Sequence, residues 1–201
     1  MAIKRFSDYE TTQAYSNSEK LPVGGYVIKI ENVRFENGTN GGSDRIVLAF
    51  DISEGEQKGF YRKNFDAQTG EDRKWKGTYI IYLPRDDGSE QDKWTKRRFK
   101  TIMEHIEDAN PGYSWNWDEN SLKGKLLGAL FGEINTVIDG KQITYVALRF
   151  TEKIANIRNK QFKIPEPYNK NGATGKPAAV STQSSDGFME IPKGVEEEIP
   201  F

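Results

Sequence analysis

The chain has 201 residues, 29 basic and 30 acidic side chains, a formal net charge of −1, one histidine and no cysteine. Without cysteine there is no disulfide framework and no thiolate metal site, and His105 alone cannot build a histidine-based metal centre or triad. Met1-Ala2-Ile3-Lys4-Arg5 opens without the apolar run of a signal peptide, and no segment approaches the ~20 apolar residues of a membrane span, so a soluble, cytoplasmic protein is expected.

Residues 1–20 form a polar lead-in carrying Phe6, Tyr9 and Tyr15, and Leu21-Pro22-Val23-Gly24-Gly25 is a breaker. Tyr26 to Phe35 reads as a strand. Ile28 and Ile30 share one face, whereas Val33 and Phe35 fall in the other phase, so a bulge or bend is expected near Asn32. After the Gly/Asn-rich turn from Asn37 to Ser43, Arg45 to Ile52 alternates cleanly, with Ile46, Leu48, Phe50 and Ile52 on one side. Phe60 to Phe65 and Thr78 to Leu83 are further short strand candidates, and Pro84 to Ser89 is a turn. Phe99, Ile102, Met103 and Ile106 recur at helical spacing within Asp92 to Ala109, and Asn110-Pro111-Gly112 stops that helix. Leu126 to Ile138 and Ile143 to Thr151 flank Asp139-Gly140, the strongest short hairpin signal in the chain.

Strands, one helix and then a hairpin fit a mainly β fold: a five-stranded Greek-key barrel of the OB type, with the helix between the third and fourth strands. From pattern alone a generic α+β sandwich fits nearly as well. Residues 1–168 suffice for one core and one domain. Residues 169–201 change composition: Asn169 to Ser185 is a small, polar tether, and a run of Glu196, Glu197 and Glu198 leads to Ile199, Pro200 and Phe201. A disordered acidic tail of this kind is expected to serve as a docking hook rather than only as a solvated solubility device. Pro200 limits the order lost on docking, Ile199 and Phe201 offer apolar area, and the acids suit a basic rim.

The charge is uneven. Residues 58–100 hold twelve basic and seven acidic side chains, whereas residues 1–168 as a whole hold 26 and 25. Bases and aromatics interleave in this block. Lys58, Tyr61, Arg62, Lys63, Arg73, Lys74, Trp75, Lys76, Tyr82, Arg85, Trp94 and Arg97 are the candidate contacts to a nucleic acid. A cationic groove follows phosphates and aromatic faces stack bases, at ~1–3 kcal/mol per stack. Trp75, between Lys74 and Lys76, reads as an exposed loop residue and the first stacking candidate, with Tyr61 and Tyr82 next. Phe65, Tyr79 and Phe99 read as core, and Arg97 and Arg98 serve equally as the wet face of the helix. Tyr113, Trp115 and Trp117 read as a clamp packing a loop onto the fold in preference to a stacking surface, and His105 as a solvated residue off the helix's apolar stripe.

Gly24-Gly25-Tyr26-Val27, Asn110 to Asp118, Leu122-Lys123-Gly124-Lys125, Ile157-Arg158-Asn159 and Phe162-Lys163-Ile164-Pro165 carry a resemblance over residues 20–168, joined by the tail. Together they resemble single-stranded DNA-binding proteins encoded by phages or mobile elements of Gram-positive hosts. The resemblance implies an OB-type core and sequence-nonspecific binding of single-stranded DNA in replication, recombination and repair. It also implies recruitment of partner enzymes through Glu196–Phe201, no cofactor and no enzymatic activity; a homo-oligomer, dimer or higher, is compatible with it. Two other readings compete. Asp44 with Glu56-Gln57-Lys58 imitates a Mg²⁺-dependent nuclease site, although Gly55 and Gly59 make that triplet a turn. A pure protein adaptor would use the tail alone.

Overall fold

The computed structural model describes residues 7, 9, 20–39, 41–69 and 72–170. Strand β1 (Gly24–Glu36) buries Ile28 and Ile30 on one face, and its pairing with β2 (Arg45–Ile52) shifts register between Ile30 and Asn32. The bulge falls where the apolar phase changes. Beyond it Val33 and Phe35 face the same way as their partners Leu48 and Ile46. A single strand can thus serve two neighbours: residues 24–29 pair with β4 (Leu126–Ile138) and residues 28–36 with β2, both antiparallel. β3 (Thr78–Tyr82) adds to the other edge of β2, and β5 (Lys141–Glu152) to β4. The two-residue β6 (Tyr168–Asn169) joins β4 in parallel, so Asn169 and Lys170, assigned by composition to the tether, are held against Asn135.

The result is mainly β: an open six-stranded sheet in the order β3-β2-β1-β4-β5 with β6 beside β4. The expected count of five strands and one helix is therefore low. Three α-helices are present among the described residues: α1 (Phe60–Asp66), α2 (Glu90–Ala109) and α3 (Ile154–Arg158), with a 3-10 turn at Glu119–Leu122. The β4–β5 hairpin turns at Asp139 and Gly140, whose φ angles of 49° and 72° are those of a two-residue turn that requires positive φ twice.

The segment expected to be a strand from Phe60 to Phe65 is the helix α1. Its inward residues are Phe60 and Tyr61, then Asn64 and Phe65 in part, which is a 3.6-residue rather than a two-residue period. Gly59, at φ 73°, supplies no capping side chain. Asp51, at the end of β2, caps in its place: its Oδ1 accepts from the Tyr61 N–H at 2.9 Å and its Oδ2 from the Arg62 N–H at 3.1 Å. A carboxylate at a helix N-terminus also meets the positive end of the helix dipole.

The core lies on the inner face. Ile28, Ile30, Leu48, Phe50, Ile81 and Phe131 meet the apolar stripe of α2: Phe99, Ile102, Met103 and Ile106. Ser89 caps α2 by accepting the Asp92 N–H at 3.1 Å. A cap contributes about 1 kcal/mol, whereas each buried stripe residue contributes roughly 1.5–3 kcal/mol, so packing decides where α2 lies. Asn110 ends it, donating to the Ile106 and Leu126 carbonyls at 2.7 and 2.8 Å and accepting the Leu126 N–H at 3.0 Å. A smaller cluster of Val27, Leu130, Ile154 and Ile157 holds α3 to the outer face. Among the described residues, no helix is long and apolar enough to cross a membrane.

Candidate nucleic-acid interface

The twelve candidate contacts separate into two groups. Lys58, Arg62, Lys63, Arg73, Lys74, Trp75 and Lys76 gather where β2 ends, α1 runs and the chain returns to β3; Tyr61 lies within the same turn of chain. Gln68 organises the return loop, accepting the Lys74 N–H at 2.9 Å and donating to the Lys74 carbonyl at 2.9 Å. The side chains of Lys58, Arg62, Lys63, Arg73, Lys74 and Lys76 all point to solvent.

Tyr61 is not a stacking platform. It is only 8 % exposed, meets Phe50 and Phe60 edge to face, and burial pushes its phenol well above the usual range. Trp75 is also less exposed than its lysine neighbours imply. Its indole N–H donates to the Phe50 carbonyl at 3.2 Å and to the Gly77 carbonyl at 3.1 Å, and it packs half-buried against the core. Gly77 makes this possible: a Cβ there would lie 2.3 Å from the Phe50 carbonyl oxygen and 2.8 Å from the Tyr61 ring. Phe65, expected in the core, is half-buried beside Trp75 at 5.8 Å, while Tyr79 and Phe99 are buried as expected. Two guanidinium groups cover this aromatic pair: Arg62 lies 5.0 Å from the Trp75 ring centre, and Arg73 lies 4.9 Å from that of Phe65. Beside Arg62 a groove of about 490 Å³ is lined by Lys29, Lys58 and Arg62, with Glu31, Asp51 and Ser53 in its wall.

The second group lies elsewhere. Tyr82 stands opposite Arg45 at the far end of β3. Arg85 donates to Ser43 Oγ at 2.9 Å and to the Gly41 carbonyl, holding the turn before β2. Trp94 and Arg97 belong to α2, where Trp94 is half-buried beside Arg98 and Arg97 is exposed. Arg98 lies 5.3 Å over the Trp94 ring and donates to the Tyr79 hydroxyl at 3.2 Å, which makes it a packing residue of the helix flank. The outer faces of β1, β2 and β3 link α1 to Tyr82 through the rows Asn32–Ala49–Thr78, Arg34–Val47–Ile80 and Glu36–Arg45–Tyr82. Glu36 is committed to Arg45 and Arg34, which hold its carboxyl below the usual range.

Sequence reasoning missed Lys29 because it comes from β1, on the opposite side of β2 from β3, and only strand register brings it opposite Asp51. Trp117 is read from sequence as part of a clamp, with base stacking as the lesser alternative. Tyr113 and Trp115 form the expected clamp, packing against the core, with the Trp115 N–H donating to Glu107 at 2.7 Å. Trp117 instead stacks on Phe99 at 6.1 Å with its outer face open, 77 % exposed and at φ 66°. His105 is not solvated either: it is half-buried, its Nδ1 lies 2.9 Å from Thr151 Oγ1, and burial pulls its pKa down.

The nuclease residues are not brought together. Asp44 precedes β2, where it accepts the Gly38 N–H at 2.7 Å, and Glu56 follows it; the eight-residue strand between them spans roughly 25 Å. Among the described residues, no group of three or more His, Asp or Glu side chains is placed to hold a metal ion. The tip Glu196–Phe201 lies outside the described residues. No protein-family model matches the chain, and no curated protein matches it.

Proposed function

We propose that the chain is a sequence-nonspecific single-stranded DNA-binding protein of phage replication and recombination, with an OB-type core. The observation that carries this reading is the α1 group: six solvent-facing cations around an aromatic pair, on a mixed surface otherwise rich in acids. Cationic tracking of phosphates together with aromatic faces is the combination that nonspecific single-strand binding uses. The strand order β3-β2-β1-β4-β5, a first strand shared by two neighbours and α2 between β3 and β4 support the OB-type assignment. The DNA then runs from the Lys58–Trp75 end across the outer face of β1 to β3 toward Tyr82 and Arg85. Glu196–Phe201 is the docking tip for partner enzymes, reached through the tether, and a dimer or higher oligomer would extend the DNA path. Deletion of Phe201 should remove that recruitment and leave DNA binding intact.

A native gel with single- and double-stranded oligonucleotides, with and without Mg²⁺, tests the reading. Retardation of the single strand in preference to the duplex, without cleavage in Mg²⁺, supports it. Cleavage would favour a nuclease, and no retardation would favour an adaptor.

A further inference from the structure

We propose that Trp75 and the groove beside it form a one-nucleotide pocket in which Arg62 is the moving part. Its guanidinium covers the indole when no strand is bound and crosses to the phosphate when a base takes its place. The proposal rests on the single-stranded DNA reading and adds to it the residues of one subsite and their exchange.

Trp75 is immobilised along its edge, since its one donor is shared between the Phe50 and Gly77 carbonyls. One part of its surface meets Phe65, tilted at 52°, and the guanidinium of Arg62 sits 5.0 Å from the ring centre. The backbone of Arg62 is fixed as firmly, because its N–H donates to Asp51 at 3.1 Å. Only the side chain is left to move, and among the described residues it makes no ion pair or hydrogen bond. An exposed cation–π contact is weaker than a base stacked on an aromatic ring. A base therefore wins the indole face, and the displaced guanidinium needs an anion.

The groove supplies the place for that anion. Its wall brings Lys29, Lys58 and Arg62 together in about 490 Å³. Of its two carboxylates one is held by backbone donors and the other is offset by Lys29, so Lys58 and Arg62 are the groove cations without an ion pair among the described residues. Asp51 accepts three backbone N–H groups, from Ile52, Tyr61 and Arg62, and Glu31 lies 3.7 Å from Lys29. A phosphodiester entering there meets Lys58 and Arg62, and Arg62 reaches either the ring or the groove from one fixed backbone position.

The test uses the full chain labelled with 5-fluorotryptophan. Its four tryptophans give four fluorine resonances, and Trp75→Phe assigns the one that matters. The labelled protein is titrated with a thymidine oligomer and with an abasic strand of the same phosphate number. The Trp75 resonance should move with the thymidine oligomer and hardly at all with the abasic strand. Arg62→Ala should keep the thymidine-induced shift but lower the slope of log affinity against log salt by ~0.7, one phosphate's share on a single strand. Arg62→Lys, which keeps the charge, should retain the slope. Binding of the oligomer with the Trp75 resonance unmoved, or an Arg62→Ala slope equal to the parent's, overturns the pocket while leaving single-strand binding standing. Absence of any binding overturns both.

Discussion

Trp75 owes its fixed position to what its neighbour Gly77 lacks. Gly77 has no side chain, so the chain can pass close enough to Phe50 for the indole N–H to find two carbonyls. Gly77→Ala forces a methyl group onto the Phe50 carbonyl oxygen. It should destabilise the fold by about 1–3 kcal/mol, the usual cost of overpacking, read as a lowered midpoint in urea at unchanged slope. His105 makes a second prediction at this scale. Burial lowers its folded pKa, with Lys153 acting in the same direction and Glu152, Asp108 and Glu104 against it. Because the folded state binds the proton less readily than the unfolded chain, its contribution is fully present above the unfolded value of about 6.5 and is lost as pH falls through the lower folded value. Tm should therefore decline as pH falls from 7.5 to 5.5, and His105→Gln should flatten that decline. An identical pH profile in the variant would show that another group is responsible.

Among the elements, α1 carries the most cations of the candidate site for its length and has no side chain of its own to cap it. Asp51 performs that task from the preceding strand, so the position of Arg62 depends on a residue in β2. Asp51→Ala leaves three backbone donors without their acceptor. The loss should cost about 1–3 kcal/mol, with hydrogen exchange rising first in residues 60–66 and the sheet staying protected. Protection unchanged in α1 would mean that its packing through Phe60 and Tyr61 suffices. This long-range cap is also why α1 reads as a strand in sequence. Its aromatics cluster within six residues, too few to declare a period, and nothing local marks a helix start. By contrast β2, the β4–β5 hairpin and α2 were legible, because each carries several turns or alternations of its pattern and a local stop signal. Even the bulge after Ile30 was visible as a change of phase.

At the scale of the whole molecule the sheet sorts the chain's chemistry into faces. The inner face is closed by α2, the outer side of β1 and β4 is held by α3, and the α1 end is left to the cations. The positive charge of residues 58–100 was legible by counting, and so was its interleaving with aromatics. What could not be read was its division between elements, because Trp94 and Arg97 belong to α2 while Arg62 lies on α1 and Trp75 on the loop that returns to β3. Lys29 was hidden for the same reason, since only register places it opposite Asp51.

The most direct measurement of the central claim is the salt dependence of affinity for a thymidine oligomer in two triple variants. One replaces Lys58, Arg62 and Arg73 with Gln at the α1 end; the other replaces Lys100, Lys153 and Lys160, which are exposed elsewhere. The α1-end variant should bind more weakly and lose ~2 from its slope of log affinity against log salt, at ~0.7 for each phosphate neutralised, while the second variant should match the parent. Equal losses in the two variants, or a loss in the second alone, would contradict the account.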